Sequence, residues 1–422
     1  MIAIKCFLGS SAGFRALSNV FKILNKWVSS IAAPAASSIR QWLLKLGLYK
    51  LLQPKHSENG WFFIVDTSIQ MGPQKCVVVL GVKKDDLHSH FCPTLSQVEA
   101  LVVKPVCNTP GDVIYEILEE AATKVTGGPI HAIISDDGGE NKKGGKLFCE
   151  HHLDTIHLPD ISHKINTLLK TELENDPIWA SFKTKATSSM QLLKLSSIAY
   201  LAPPRQRTKA RMHSAFDLIE WGARLLRFIN SREAENLAPE DINKIEWIKS
   251  YENAFTIYDE LREQCKFTLE LIHQRGYFNG MMDEFAKYFT QRCISTERVS
   301  NFYKKILEQL KTIESKISKP IHYLGSSEVI ESLFGKFKAL EGDHASSGFT
   351  SLILAIPGLL GEMDKSIINA AMSEISTLDI KEWTNTNLGQ TFLSKRKKAL
   401  YASESQIGKD VIRDLDLSDF AA

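Results

Sequence analysis

No apolar run in the chain approaches the ~18–20 residues that a membrane helix requires, so no membrane partner is expected. Cysteine is sparse and scattered. Seven stand at Cys6, Cys76, Cys92, Cys107, Cys149, Cys265 and Cys293, and no two have a Cys-x2-Cys spacing. That argues against a zinc ribbon and against a disulfide-stapled secreted scaffold; it is the usage of a reduced intracellular protein. The one short run of metal-ligand residue types, Cys149-Glu150-His151-His152, has no companion cluster. Internal repeats and low-complexity tracts are missing too. The most uneven absence is of acid. The first 57 residues hold no Asp or Glu but eight Lys and Arg, so the remaining 365 carry a net −6 against the chain's +2. A basic segment ahead of an acidic remainder is an electrostatic footprint for a polyanion.

What is present points to an α/β protein. At 422 residues the chain is too long for one ordinary core. Residues 14–28 space their apolar side chains at helical intervals. After a break at Pro34 a second helix is predicted over 39–46, ending at Gly47. Two short basic helices around a turn predict a helix-turn-helix over residues 1–56. Ser37, Ser38, Arg40, Gln41 and Lys45 lie on its second helix as DNA contacts. An amphipathic pair that only docks on the rest of the protein has the same pattern, and the lack of acids favours DNA. A linker over 53–60 precedes a change to strand periodicity.

Strands are predicted at 61–66, 75–82, 100–106, 130–135 and 155–160, with a helix from Gly111 to about Val125 and a short one near 144–148. The order βββαβαβ is the layout of an RNase H-like core with a mixed five-stranded sheet. Its first part would span 57–170. Residues 171–322 read as an all-helical insertion. Its stripes include Leu218, Gly222, Leu225 and Ile229; Tyr258, Leu261, Cys265, Thr268 and Ile272; and Val299, Phe302, Ile306, Leu310, Ile313 and Ile317. These are core seams. The second part of the core would be 323–380, with a helix capped by Ser326, and 381–422 a basic tail that includes the run 393–398.

The first and fourth predicted strands each lead into an aspartate. Trp61-Phe62-Phe63-Ile64-Val65 leads into Asp66, and Ile130-His131-Ala132-Ile133-Ile134-Ser135 leads into Asp136. A third acid, Glu331, lies far along in Val329-Ile330-Glu331-Ser332-Leu333-Phe334. Acids at neighbouring strand ends repel one another, and a pair of divalent cations relieves that repulsion. Two Mg²⁺ or Mn²⁺ ions held by Asp66, Asp136 and Glu331 are the arrangement for cutting and joining phosphodiesters. Asp66 is the expected bridging ligand. Asp137 begins an Asp-Gly turn and ranks behind Asp136. Glu328, one turn before Glu331, is the fallback third ligand.

Asp66, the run Asp136-Asp137-Gly138-Gly139-Glu140 and the distant Glu331 together resemble the DDE transposases. Ile330-Glu331 with Lys338 seven residues on is similar to the Glu-x6-Lys half of the Tyr-x2-Arg-x3-Glu-x6-Lys signature of bacterial cut-and-paste enzymes. The Tyr and Arg positions of that signature hold Leu324 and Ser327. His163-Lys164-Ile165-Asn166 and Glu331-Ser332-Leu333-Phe334 resemble motifs of hAT-type transposases, in which an all-α domain precedes the catalytic Glu. The resemblance implies DNA-strand cleavage followed by attack of a 3′-hydroxyl on target DNA. It implies double-stranded DNA as partner, both transposon ends and target, and two or more protomers in a synapse.

Lys338 then faces a phosphate, and the basic run Arg205, Arg207, Lys209 and Arg211 is a candidate DNA track. Trp179 and Trp221 are core residues or, less in keeping with their setting, stacking platforms for an extruded base. His163 either meets a phosphate or sits satisfied beside Asp160. The N-terminal apolar stretch is short and interrupted by Lys5, unlike a signal peptide. A cytoplasmic protein is expected, nucleoid-associated if the host is bacterial. A regulatory derivative without catalysis, or a nuclease of the same superfamily without strand transfer, are the rival readings.

Overall fold

The computed structural model describes residues 2–10, 12–71, 74–87, 90–136, 138–205, 211–290, 295–341, 349–389 and 400, with 68, 71 and 211–213 described by backbone alone. Three helices come first: α1 (Ile2–Leu8), α2 (Phe14–Trp27) and α3 (Ala36–Leu52). There follow β1 (Lys55–Ser57), β2 (Trp61–Met71), β3 (Gln74–Lys83), β4 (Val98–Val106), α4 (Gly111–Ala122), β5 (Val125–Gly127), β6 (Ile130–Ser135), α5 (Gly139–His151) and β7 (Ile156–Pro159). A helical block comprises α6 (Ile161–Glu174), α7 (Pro177–Lys194), α8 (Arg211–Ile229), α9 (Pro239–Ile245), α10 (Glu252–Arg275), α11 (Met281–Thr290) and α12 (Glu297–Glu314). The chain returns to the sheet with α13 (Glu328–Glu341), α14 (Ala355–Gly358), α15 (Lys365–Glu374) and α16 (Thr377–Leu388).

The protein is mixed α/β around a five-stranded sheet in the order β4-β3-β2-β6-β7. β2 pairs antiparallel with β3, and β3 antiparallel with β4. β2, β6 and β7 run parallel. Both faces of β2 are covered, which is why its sequence reads as an unbroken apolar run. Trp61, Phe63 and Val65 face α4 and α5 through Ile114, Leu118 and Phe148. Phe62 and Ile64 face the larger core that also holds α3, α13 and the helical block. The stripes expected on α8, α10 and α12 are buried as core seams. At Gly222 an added Cβ would lie 2.2 Å from the Phe255 ring, so glycine permits that close helix crossing.

The N-terminal expectation needs correction. The second helix does not stop at Gly47 but runs to Leu52, and it is a core element rather than a projecting recognition helix. It buries Ile39, Leu43, Leu44, Leu46, Leu48 and Leu51 and packs against α14, α15 and α16. Gly47 is a contact point, not a cap. A Cβ there would come within 1.7 Å of the Leu354 carbonyl oxygen. The basic side chains of α3 turn inward. Arg40 Nη2 donates to Ser351 Oγ at 3.2 Å, Lys45 Nζ reaches the Met372 carbonyl at 3.5 Å, and Lys50 Nζ donates to the Leu360 and Glu362 carbonyls. Among Ser37, Ser38, Arg40, Gln41 and Lys45, Ser37 alone is exposed. The helix packs on α14, α15 and α16 as the docked-pair alternative expects, with Ser38, Arg40, Gln41 and Lys45 half-buried.

Other differences are local. The expected linker contains β1, which pairs parallel with β5. The short helix near 144–148 is the middle of the 13-residue α5, whose Gly144 sits where a Cβ would meet Ile114 of α4 at 2.6 Å. Trp179 and Trp221 stack among Phe182, Tyr258 and Trp247 as core residues. Among the described residues no helix is long and apolar enough to cross a membrane.

Candidate active site

The parallel strands bring three aspartates to one edge of the sheet. Val65, Ser135 and Pro159 are register partners across β2, β6 and β7. Asp66, Asp136 and Asp160 each follow their partner by one residue. Adjacent strands lie about 4.8 Å apart, so these carboxylates start from neighbouring points.

Asp66 is half-buried, and the Thr67 N–H donates to its Oδ1 at 2.5 Å. Just past it the pairing of β2 with β3 slips, with two β2 residues between Asp66 and Ile69 opposite one in β3. A bulge of this kind bends a strand and re-aims its side chains. Asp136 is also half-buried. Its Oδ1 accepts from Asn141 Nδ2 at 2.7 Å and from the Gly138 N–H at 3.3 Å. Asn141 was not anticipated. It stands two residues into α5 and is 3% exposed, and its own Oδ1 is buried with no partner among the described residues. Its signal in the sequence was only its position, one turn beyond an Asp-Gly turn. Glu140 accepts from Thr109 Oγ1 and faces Lys75 at 3.5 Å, so it is directed away from Asp136. Asp137 lies outside the described residues.

Asp160 behaves differently. It is 2% exposed and caps α6 by accepting from the Ser162 and His163 N–H groups at 2.7 and 3.4 Å. Its other oxygen accepts from the Ser327 N–H at 3.3 Å and from the Ser327 hydroxyl. Burial pushes its pKa above the usual carboxylate range, against the pull of those four donors. Asp160 is a structural staple, and the His163 ring is exposed beyond it.

That staple starts α13 at the same sheet edge. The Ile161 N–H also donates to the Gly325 carbonyl at 2.9 Å. α13 packs on β2 through Val329, Ile330, Leu333, Phe334 and Phe337. Glu331 is exposed in its first turn, about 6 Å along the axis from Ser327. Lys338, two turns further on, is also exposed. Glu328 is not on that open face. It accepts from Ser162 Oγ at 2.7 Å, and its carboxylate lies 3.5 Å from His273 Nε2. Leu324 is fully buried and Ser327 is bound to Asp160, which is the use the protein makes of the two signature positions where Tyr and Arg are not found.

Of the expected basic track, Arg205 is exposed, Arg207 and Lys209 lie outside the described residues, and Arg211 begins α8. The 393–398 run is also outside them. A different basic feature stands beside β7: a cleft of ≈ 570 Å³ lined by Lys142 and Lys146 of α5, Lys164 of α6 and Lys316, with Glu150 the sole acid among its described lining residues. Lys316 Nζ donates to the His157 carbonyl at 3.2 Å, and His157 Nε2 lies 2.8 Å from Ser135 Oγ. The cleft therefore adjoins the strand that carries Asp136. Lys142 and Lys146, four apart on one helix face, were its legible sign.

The half-buried carboxylates at the ends of β2 and β6 are hard oxygen donors. The Oδ2 of Asp136 accepts no hydrogen bond among the described residues, so the donor set fits a divalent cation of the Mg²⁺ class. Comparison with family models and with curated proteins finds no match for this chain.

Proposed function

We propose that this chain is a DNA transposase with an RNase H-like core interrupted by an all-α insertion between β7 and α13. The observation that carries the reading is the register. Asp66 and Asp136 follow the same row on adjacent parallel strands, and α13, with Glu331 exposed in its first turn, starts from that edge. The strand order β4-β3-β2-β6-β7, with β3 alone antiparallel to both its neighbours, supports the same core.

Asp66, Asp136 and Glu331 would hold two Mg²⁺ or Mn²⁺ ions, which supply nucleophile activation and stabilisation of the leaving 3′-oxygen in phosphoryl transfer. Asn141 and the Gly138 N–H orient Asp136, and the bulge after Asp66 sets its direction. Lys338 and the lysines of the β7 cleft would meet DNA phosphates. Double-stranded DNA, as transposon end and as target, is the partner. Two or more protomers would hold paired ends.

The test uses the purified chain, DNA segments that flank its gene with pre-cut 3′-hydroxyl ends, and a supercoiled target in Mg²⁺ or Mn²⁺. Joined products that disappear in Asp66→Asn support the proposal. Nicking without joining converts it to a nuclease, and no cleavage of any DNA in Mn²⁺ reduces it to a regulatory derivative.

A further inference from the structure

Cys92, His273 and Glu328 come from three separate parts of the chain and meet beside the acidic sheet edge. Cys92 lies in the connection between β3 and β4, His273 in the last turn of α10, and Glu328 opens α13. Their ligand atoms all lie within 4.8 Å of one another. Cys92 Sγ is 3.9 Å from one carboxylate oxygen of Glu328, and His273 Nε2 is 3.5 Å from the other. A tetrahedral zinc site with Zn–S near 2.3 Å and Zn–N and Zn–O near 2.0 Å spaces its ligand atoms about 3.3–3.5 Å apart. The Cys92–Glu328 and His273–Glu328 spacings, each to a different carboxylate oxygen, approach those values, and closing the set around one ion takes a small rotation of side chains that already lie within 4.8 Å of one another.

We propose that these three side chains bind one Zn²⁺ ion, with water as the fourth ligand. A thiolate and an imidazole select zinc over Mg²⁺, which prefers an all-oxygen shell. The surroundings are built for it. Ser162 Oγ donates to Glu328 Oε1 at 2.7 Å and holds the carboxylate in place. The Phe91 N–H donates to the His273 carbonyl at 2.8 Å, fixing the Cys92 segment to the end of α10. Tyr277 and Tyr323 exchange backbone hydrogen bonds at 2.8 Å, and the Tyr277 hydroxyl donates to the Pro159 carbonyl at 2.9 Å. An ion here clamps the helical block, the β3–β4 connection and the first turn of α13 together, one turn from Glu331. The ion bridges three segments of the chain, is distinct from any that the strand-end aspartates hold, and the inference stands without the transposase reading.

The experiment measures metal directly in the full-length protein. After exposure to Zn²⁺ and dialysis, elemental analysis is expected to find one zinc per chain. The Co²⁺-substituted protein is expected to show tetrahedral visible bands and a thiolate-to-cobalt charge-transfer band. Cys92→Ser abolishes the charge-transfer band, whereas Cys107→Ser, at an exposed position elsewhere, keeps it. His273→Gln lowers zinc affinity at least about 10-fold and serves if Cys92→Ser does not fold. A chelator lowers the melting temperature of the parent protein but not of either variant. No zinc retained, or a cobalt spectrum unchanged by Cys92→Ser, overturns the proposal. Neither readout depends on DNA cleavage, so its failure is separable from failure of the proposed activity.

Discussion

At the ends of β2 and β6, Asp66 and Asp136 are half-buried. One strand over, at the end of β7, Asp160 stands at the same register row but is 2% exposed and takes four hydrogen bonds, two from the start of α6 and two from Ser327. The residue type, the strand direction and the row are shared. The difference is what arrives from elsewhere in the chain. Donors at the β7 end saturate the carboxylate and lock α13 in place. At β6, Asn141 and Gly138 are the donors among the described residues, and both meet the same oxygen. Cations divide the same way. Lys50 on α3 is committed to carbonyls of the core, whereas Lys142 and Lys146 line an open cleft. For the aspartates, the saturated and the open carboxylate follow register partners on adjacent strands.

The comparison is broken most sharply at the two ends of β2 and β6. Asp66→Asn or Asp136→Asn is expected to reduce metal-dependent strand cleavage about 10³-fold or more, with an unchanged or raised melting temperature because like charges are relieved. Glu331→Gln behaves likewise, while Glu328→Gln keeps cleavage and loses zinc. Next, Asp160→Ala should cost about 2–4 kcal/mol of stability in urea unfolding, since it removes a helix cap and strands Ser327. A loss below about 1 kcal/mol would mean the staple is not structural.

Lys50 gives a pH-dependent test of a consumed cation. Burial lowers its pKa from 10.5 to about 8. Between those values the unfolded chain holds the proton and the folded chain does not, so unfolding free energy rises with pH by up to about 1.4 kcal/mol per unit. The difference between the parent and Lys50→Met should show that rise, and a flat difference curve contradicts it. The smallest effect is expected at Asn141→Ala. Cleavage falls about 10-fold, and more Mg²⁺ is needed for half-maximal rate, because Asp136 loses its orienting donor.

Much of the architecture was legible locally. β2 and β6 were visible as apolar runs because both sheet faces are covered. The α10 and α12 seams were visible because a helix that buries one side repeats its apolar residues near every 3.6. Gly47 was not legible. A glycine that ends a helix and one that lets a backbone approach within contact distance look alike in a sequence. The inward use of Arg40, Lys45 and Lys50 was hidden for a related reason: a basic, acid-free segment suits a polyanion, but it also suits the backbone carbonyls of the Leu360 loop and of the last turn of α15. The three-residue β1 and β5 carry too little pattern to register.

Patterning along the chain thus accounts for the longer strands and helices and for the placement of Asp66 and Asp136 at strand ends, because periodic burial leaves a mark at short range. It ranked Asp136 ahead of Asp160 without showing what occupies Asp160, and it did not join Cys92 to His273 and Glu328. Whether a carboxylate is saturated or left open depends on donors from remote segments, and those meet only when the chain has closed around its core.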